Sequence, residues 1–331
     1  MSRAATAGFA SLVFSVMLVG AVRRYALWRD LLDHPNARSS HAQPTPRGGG
    51  LGVLVACLLV AGVGLRSEPL WHATATAFAG VILVALIGWL DDHGGLGVRM
   101  RLAAHITAGA LVAPLAVQAQ AGDPATLVAL LGIGCVVSSI NVVNFIDGID
   151  GMIGTQALVL GLHVVYLSAP AGSSVVLGAA LAGASLGFLM FNWAPARIFL
   201  GDAGSGGLGA LFVVSAFVLA SESDVGVVEA LLPLFPIFLD ATVTLARRLI
   251  RGEQVTQAHR SHLYQRLANG GWGHARVTML FAATSLVAIP VGAAAAGMAP
   301  RASWALLLSY GGAVCAGYAL IDTALRRRVN D

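Results

Sequence analysis

Acidic side chains in short polar motifs are the groups of this chain that could do chemistry. Their carboxylate oxygens are hard donors, and the motifs add neither cysteine nor closely paired histidines. Oxygen-only donor sets suit hard cations, and a Mg²⁺ site typically combines one or two carboxylates with phosphate oxygens and water. We therefore expect Mg²⁺, with Mn²⁺ as the alternative ion. The acids are Asp91 and Asp92 (WLDDHGGLGVRMR), Asp147 and Asp150 (NVVNFIDGIDG) and Asp202 (FNWAPARIFLGDAGS).

A basic segment later in the chain supplies donors for phosphate oxygens. It reads AHRSHLYQRL over residues 258–267 and contains His259, Arg260 and His262. Such side chains bind phosphate through charge-assisted hydrogen bonds. Carboxylates, a divalent cation and a basic segment together predict phosphoryl transfer on a nucleotide or a diphosphate.

The spacing within the NVVNFIDGIDG motif predicts a local geometry. Asn141, Asn144 and Asp147 recur every three residues, so on a helix each is rotated by about 60° from the last and all share one broad face. Gly148 and Gly151 favour an end to that helix. We expect Asp147 and Asp150 at its tip.

The composition decides which kind of protein positions these groups. Of the 331 residues 57% are hydrophobic and 11% charged, and the mean hydropathy is +0.78. A soluble domain carries roughly 25% charged residues, so a soluble enzyme, a disordered chain and a disulfide scaffold are excluded. All 20 basic residues are arginine, which excludes lysine Schiff bases and Walker A phosphate loops. We predict an all-α polytopic membrane protein in which residues 1–331 form a single domain.

Apolar segments that could cross a bilayer recur along the whole chain. A span takes roughly 17–25 residues, and we predict about eleven (10–11), with the shorter ones packed against neighbours. They are Ala4–Val22, Leu51–Leu65, Ala73–Leu90, Leu102–Gln118, Leu127–Phe145, Met152–Leu167, Ser174–Phe191, Ser205–Ala220, Val227–Ala246, Val277–Met298 and Trp304–Leu325.

The distribution of arginine predicts the orientation. With a retained first span and a periplasmic N-terminus, the loops after spans 1, 3, 5, 7 and 9 and the C-terminal tail become cytoplasmic. These regions hold 17 of the 20 arginines, as the positive-inside rule requires. We expect a bacterial cytoplasmic (inner) membrane protein with a cytoplasmic active site. The candidate catalytic loops on that side cover approximately residues 23–50, 91–101, 146–152, 192–205 and 247–276.

Any single acid among these could be no more than a helix cap. Five polar clusters, however, fall on one membrane face, the first of them being DHPNARSSHAQPTPRGGG over residues 33–50. Their convergence predicts a water-accessible site at the interface, built on a helical scaffold.

The ordered motifs resemble a known family. DHPNxRSSH…PTPRGGG, DDxxGL, NxxNFxDGxDG, FLGDxGS and HRxHxYQ occur in this order between Asp33 and Gln265. They are similar to those of the polyprenyl-phosphate N-acetylhexosamine-1-phosphate transferases, which include phospho-N-acetylmuramoyl-pentapeptide transferase. The resemblance implies transfer of a sugar-1-phosphate from a UDP-N-acetylhexosamine to undecaprenyl phosphate, with release of UMP.

The resemblance also implies residue roles. Metal binding falls to Asp202, Asp92 and Asn144, and either Asp91 or Asp92 is the candidate base for the lipid phosphate. The basic segment would hold the diphosphate, so the implied catalytic residues are Asp91, Asp92, Asp202, His259, Arg260 and His262. The implied substrate-binding residues are Asn141, Asn144, Asp147, Asp150, Asn192, Phe199 (as a stacking surface for uracil) and Arg47.

One departure from the family pattern bears on the pathway. The basic segment reads HRSHLYQ rather than the three-histidine pattern of the muramoyl-pentapeptide branch. This favours the branch that starts O-antigen and other surface polysaccharides. The expected partners are undecaprenyl phosphate, a UDP-N-acetylhexosamine and the bilayer, with no nucleic acid. Whether the chain works as a homodimer is left open, as is the donor sugar.

Two other functions compete with this hypothesis. A secondary transporter would explain many spans and the acid Asp240 inside span nine, but transporter acids belong near the midplane rather than at one interface. A non-catalytic scaffold would not need acids and basic groups in all five clusters. For Asp240 itself, a functional acid and a polar packing contact are both open.

Overall fold

The fold is helical throughout. The computed structural model describes residues 2–35, 43–120, 122–254 and 259–330, with the backbone alone for 327–330. Within these residues the chain forms thirteen α-helices and a short ribbon of two antiparallel strands, which confirms the predicted all-α membrane class. Residues 36–42 of the first motif and 255–258 beside the basic segment lie outside the described residues.

The helices follow the predicted apolar segments, mostly within a few residues at each end. Their bounds are α1 Arg3–Trp28, α2 Gly49–Leu65, α3 Trp71–Gly94, α4 Val98–Ala119, α5 Ala125–Ile146, α6 Met152–Leu167, α7 Ser173–Asn192, α8 Gly201–Glu222, α9 Val227–Leu231, α10 Phe235–Ile250, α11 Leu263–Leu267, α12 His274–Ala296 and α13 Pro300–Asn330; the strands are β1 Leu32–Asp33 and β2 Thr45–Pro46.

The apolar helices make the chain a multi-pass membrane protein. Nine helical segments of the described chain are long and apolar enough to cross a membrane, one of them being Val227–Ile250, in which α9 and α10 are joined by a 3₁₀ turn. Two shorter apolar helices, Gly49–Leu65 and Met152–Leu167, complete the pattern. The number of true spans and their orientation stay predictions.

Helix α8 lies at the centre of the bundle. In its most apolar stretch 94% of the residues are buried, and it packs against α2, α3, α4 and α5. Its first half reads GDAGSGGLGA, and such small residues let neighbouring helices approach closely. The helix that begins within the FLGD motif is therefore the one around which α2, α3, α4 and α5 are arranged.

A close approach of α3 to α8 occurs at Gly88. A Cβ atom at this position would lie 2.5 Å from the carbonyl carbon of Asp202 and 2.6 Å from the amide nitrogen of Ala203. Only a residue without a side chain fits there. Because Asp91 and Asp92 follow within about one helical turn, this contact sets their distance from the start of α8.

The opposite end of the bundle carries a separate set of loops. The guanidinium of Arg3 forms an ion pair with Glu68 at 2.6 Å and donates a hydrogen bond to the carbonyl of Ala171 at 3.1 Å. The start of α1, the α2–α3 loop and the α6–α7 loop thus meet at the end away from the polar motifs. This arrangement agrees with the alternation of spans expected from the sequence.

We predict that Gly88→Ala destabilises the protein. The added methyl group must push α3 away from the backbone of α8, at a cost of about 1–3 kcal/mol for overpacking. The matched control is Gly134→Ala in α5, where an added Cβ meets no atom within 4 Å and helix propensity favours alanine. Thermal unfolding in detergent gives the midpoint temperature of each variant. Equal midpoints for Gly88→Ala and Gly134→Ala would contradict the prediction.

Candidate active site

The carboxylate of Asp92 ties the second motif to the fourth. Its Oδ1 accepts a hydrogen bond from the backbone N–H of Asp202 at 3.2 Å, and its Oδ2 accepts one from Ala203 at 3.3 Å. The first N–H groups of a helix have no partner within the helix and carry partial positive charge, so a carboxylate is stabilised there. Gly201, with φ of +77°, makes the turn into the helix that exposes these groups.

Asp91 is held by a different set of donors. Its Oδ2 lies 2.9 Å from Nη1 of Arg101, and its Oδ1 accepts a hydrogen bond from the backbone N–H of Leu96. The same carboxylate lies within electrostatic range of Asp202. The DDHGGLGVRMR motif therefore supplies the counter-charge for its own acid, because Arg101 lies seven residues beyond the end of the helix that carries the Asp pair and contacts Asp91 directly.

Arg47 approaches Asp92 from the side of the first motif. Its Nη1 lies 3.8 Å from Oδ1 of Asp92, and its Nη2 donates a hydrogen bond to the Asp92 carbonyl. Its Nε is buried and has no hydrogen-bond partner among the described residues.

The backbone holds Arg47 in this place. The amide of Phe199 donates to the carbonyl of Pro46 at 2.8 Å, and Gly49 and Gly50 donate to the carbonyls of Phe199 and Leu200, each at 2.9 Å. The PTPRGGG and FLGD segments are thus paired like strands. Phe199, expected as a stacking surface, is half-buried at this junction.

Asp147 stands where the sequence predicts it, directly after the last residue of α5. Burial raises the pKa of Asp147 from 3.8 to about 8, and the negative charges of Asp202, Asp92 and Asp150 add to this effect. No described residue donates a hydrogen bond to its carboxyl group. One turn earlier, Asn144 accepts a hydrogen bond from the hydroxyl of Ser205 on α8.

Three other residues that were predicted to bind substrate form side-chain hydrogen bonds within the protein. The side chain of Asn192 accepts from Gly151 and donates to the carbonyl of Ile198, both at 2.9 Å. Asp150 accepts from the amide of Ala196 at 3.0 Å, with His274 at 3.3 Å. Asn141 donates to the carbonyl of Val137 in its own helix. The contacts of Asn192 and Asp150 shape the loop between α5 and α6, and a substrate role for the three residues stays a prediction.

The basic segment lies against the end of α5. The hydroxyl of Tyr264 donates to the carbonyl of Phe145 at 3.0 Å, and the rings of His259 and His262 are 4.9 Å apart. Burial, followed by the charges of His262 and Arg248, lowers the pKa of His259 to about 4. His259 is therefore neutral at pH 7 and would act on phosphate as a hydrogen-bond donor rather than as a cation. Arg260 is half-buried beside it.

Asp240 fixes the basic segment in place, a role that the sequence analysis left open. The acid is fully buried and accepts hydrogen bonds from the backbone amides of Leu263 at 2.8 Å and Tyr264 at 3.0 Å. It lies 3.6 Å from Nδ1 of His262. The only sequence signal for this role is an acid within an otherwise apolar span.

The donor chemistry of this site fits a divalent cation of the Mg²⁺ type. Among the described residues no three His, Cys, Asp or Glu side chains form a group able to hold a metal by themselves. Mg²⁺ does not need such a group, because it commonly takes one or two carboxylates and completes its shell with water and substrate phosphate. Asp147 and Asp202 are mutually repelling acids, and a cation between them would relieve that repulsion.

We predict that the contribution of Asp147 to the stability of the metal-free protein falls as the pH rises from about 4 to about 8. Over this range Asp147 is protonated in the folded state and ionised in the unfolded state, because its folded pKa is the higher of the two. Asp147→Asn should flatten this dependence, whereas Asp123→Asn at an exposed position should not. Thermal midpoints measured in EDTA test this, and parallel curves for wild type and Asp147→Asn would contradict it.

We predict that Asp240→Asn loosens the basic segment. An amide oxygen cannot replace two carboxylate acceptors, so at least one of the Leu263 and Tyr264 amides loses its partner. Hydrogen exchange of these amides should accelerate by about tenfold, the equivalent of one hydrogen bond. Asp224→Asn, at an exposed position, serves as control. Unchanged exchange in Asp240→Asn would show that the acid does not anchor the segment.

Comparisons with known proteins agree with this geometry. Residues 74–220 match the family described as glycosyl transferase family 4. The decaprenyl-phosphate N-acetylglucosaminephosphotransferase of Mycobacterium leprae is 29% identical over 98% of this chain and 92% of its own length, and the enzyme of that name from Mycolicibacterium smegmatis is 30% identical over 83% and 78%.

A relative from the other branch matches as well. The phospho-N-acetylmuramoyl-pentapeptide-transferase of a Synechococcus species is 30% identical over 85% of this chain and 88% of its own length. The resemblance seen in the motifs is thereby confirmed. The chain belongs to glycosyl transferase family 4, among the polyprenyl-phosphate N-acetylhexosamine-1-phosphate transferases.

Proposed function

We propose that the protein transfers N-acetylhexosamine-1-phosphate from a UDP-N-acetylhexosamine to undecaprenyl phosphate. One observation carries the proposal: acids from three separated motifs gather at the start of α8, with an arginine and a histidine segment beside them. The names of the relatives point to the same reaction class. We further propose that the site faces the cytoplasm, in the inner membrane, and that residues 1–331 act as one domain.

The reaction forms one P–O bond and breaks another. An oxygen of the lipid phosphate attacks the phosphorus that bears the sugar, and the bond to the bridging oxygen breaks, so that UMP leaves with the electron pair. The products are a polyprenyl-diphosphate sugar and UMP. A divalent cation bound at the acids would neutralise charge on the diphosphate.

The protein's own residues divide this work by position. Asp202 and Asp147 are the acids that we assign to the cation, with the amide oxygen of Asn144 nearby. Asp92, also a candidate ligand, already accepts two backbone N–H groups, so its first task is to hold the start of α8. Asp91 lies beside the reacting groups but is paired with Arg101. A base is not strictly needed there, since a phosphate with a second pKa of roughly 6 is largely a dianion at neutral pH.

The basic segment would bind the diphosphate from the other side. Neutral His259 offers an N–H, and Arg260 and His262 complete the donor set that the motif predicts. Because Asp240 and Tyr264 fix this segment, it can hold the leaving group in line without ordering a loop during the reaction.

The proposals for the donor sugar and the pathway rest on the names of the relatives and on the basic segment. The mycobacterial relatives are named as N-acetylglucosaminephosphotransferases, so we propose UDP-N-acetylglucosamine as the first donor to test. The HRSHLYQ sequence favours a surface-polysaccharide pathway over peptidoglycan precursor synthesis. A homodimer stays a hypothesis.

The test is UMP release by purified protein with undecaprenyl phosphate, Mg²⁺ and a panel of UDP-sugars that includes UDP-N-acetylmuramoyl-pentapeptide. We expect turnover with a UDP-N-acetylhexosamine, abolished by EDTA. Asp202→Asn should lower kcat by about 10²–10³-fold, as for loss of one electrostatic contact in a transition state. Asp123→Asn, at an exposed position, should leave it unchanged.

Three outcomes would overturn the proposal. They are full activity of Asp202→Asn, release of UMP only with the muramoyl-pentapeptide donor, and solute flux in proteoliposomes without any UMP release. The last outcome would favour a transporter.

A further inference from the structure

An apolar groove opens between α10, α12 and α13. This α12–α13 groove has a volume of about 460 Å³, and its walls include Leu239, Leu280 and Val314. It follows α13 from Tyr310 to Ile321, which corresponds to about 16 Å of helix. Among its described lining residues there is no acid. The groove is therefore apolar throughout and separate from the acids of the candidate active site.

Three arginines share one acid on α13. Asp322 is 4% exposed and forms ion pairs with Arg247 at 2.9 Å, with Arg326 at 3.1 Å and with Arg266. In the described chain no other acid forms an ion pair with these three arginines. One carboxylate thus faces three guanidinium groups, and the cluster carries an excess of positive charge.

This arginine cluster lies at one end of the groove. Tyr318 and Ile321 line the groove, and Asp322 directly follows Ile321 in α13. The guanidinium of Arg247 lies over the ring of Tyr318, 5.8 Å from its centroid. An apolar chain in the groove would therefore end among the arginines.

The arginines still have donors to offer. Their side chains are between 26% and 49% exposed, and the Nε of Arg266 has no hydrogen-bond partner among the described residues. A guanidinium has five N–H donors, more than one shared carboxylate can accept from three such groups. An anion with several oxygens could use the donors that remain.

The cluster also lies at the depth of a membrane interface. The turn after the basic segment approaches α13 there, since a Cβ at Gly270 would lie 3.7 Å from the side chain of Leu325. In that turn Trp272 is 37% exposed, and the apolar segment of α13 ends at Arg326. Because amphipathic aromatic side chains collect at the level of lipid headgroups, the arginines lie where such headgroups are.

We infer that the α12–α13 groove and its arginines bind one anionic phospholipid of the phosphatidylglycerol type. The phosphate would contact Arg247 and Arg326, and one acyl chain would lie along the groove. Phosphodiester oxygens accept the paired N–H donors of guanidinium groups, and basic pockets between membrane helices bind anionic headgroups. A phosphatidylcholine headgroup brings a positive charge of its own to the arginines, so it should bind less tightly.

The same contacts connect the lipid to the basic segment. Arg266 belongs to α11, whereas Arg247 lies on α10 and Arg326 on α13. A bound phosphate reduces the mutual repulsion of the three guanidinium groups and so holds these helices together more firmly. Phosphatidylglycerol should therefore raise the thermal midpoint of the protein more than phosphatidylcholine does.

The first test removes one positive charge from the cluster. Phosphatidylglycerol or phosphatidylcholine is titrated into the detergent-solubilised protein, and native mass spectrometry gives the apparent affinity. We expect Arg326→Gln to weaken the binding of phosphatidylglycerol by about fivefold, the effect of one arginine near an anionic headgroup, and to leave phosphatidylcholine unaffected. The matched control is Arg301→Gln at an exposed position near the start of the same helix, which should change neither affinity.

The second test fills the groove. Gly317 lines it, and a Cβ there would meet no atom within 4 Å, so Gly317→Trp places a ring where the acyl chain would lie. We expect phosphatidylglycerol to bind about tenfold more weakly. Gly312 has equal space on the same helix but is not among the residues that line the groove, so Gly312→Trp should bind normally. Arg326→Gln keeps the inference testable if Gly317→Trp does not fold.

Three outcomes would overturn the inference. Equal affinity of wild type for the two phospholipids would make the groove a general lipid site. Unchanged affinity for phosphatidylglycerol in both Arg326→Gln and Gly317→Trp would place the lipid elsewhere. A wild-type dimer that retains no phosphatidylglycerol and that Gly317→Trp converts to a monomer would show that a second copy covers the groove. None of these measurements depends on UMP release, so the proposed function stands or fails separately.

Discussion

The contact of the Asp92 carboxylate with the first N–H groups of α8 is the interaction on which the site depends. It joins two motifs 110 residues apart and determines where Asp202 stands. The contact requires α3 and α8 to approach at Gly88, where any side chain would meet backbone. It also orients Arg47, which reaches the same carboxylate from the first motif. Without it the remaining acids would still lie at helix ends, but not at a common point.

Collecting acids in this way has an electrostatic cost, and the protein offsets it unevenly. Asp92 receives backbone N–H groups and Arg47, and Asp91 receives Arg101. Asp147 receives neither, and burial among the other acids raises its pKa to about 8. Like charges in a poorly solvated site disfavour ionisation, and the cation that we propose for this site would favour the ionised form of Asp147. In the function that we propose, the raised pKa of Asp147 is thus a consequence of gathering acids for a cation.

Local features of this architecture could be predicted from the sequence, and long-range contacts could not. The helix Met152–Leu167 begins and ends where hydropathy places it, and the three-residue spacing from Asn141 correctly puts Asp147 at the tip of a helix. Both depend on neighbouring residues alone. The role of Asp240 depends instead on two amides more than twenty residues away. Hydropathy also cannot reveal that the side-chain oxygen of Asn192 accepts a hydrogen bond from the N–H of Gly151. The sequence would be the same if this side chain bound a substrate instead.

The position of the acids at helix ends follows from the substrates as much as from the fold. The reaction we propose joins a water-soluble nucleotide to a lipid, so the reacting phosphates can meet only where lipid and water meet. Helix ends lie at that depth, and their free N–H groups stabilise anions that would be far more costly in the hydrocarbon. In the function that we propose, the basic segment anchored by Asp240 would receive the nucleotide from water, and the acceptor would reach the acids from the bilayer. Helix ends that meet at one point would therefore be enough to position the acids for the proposed reaction.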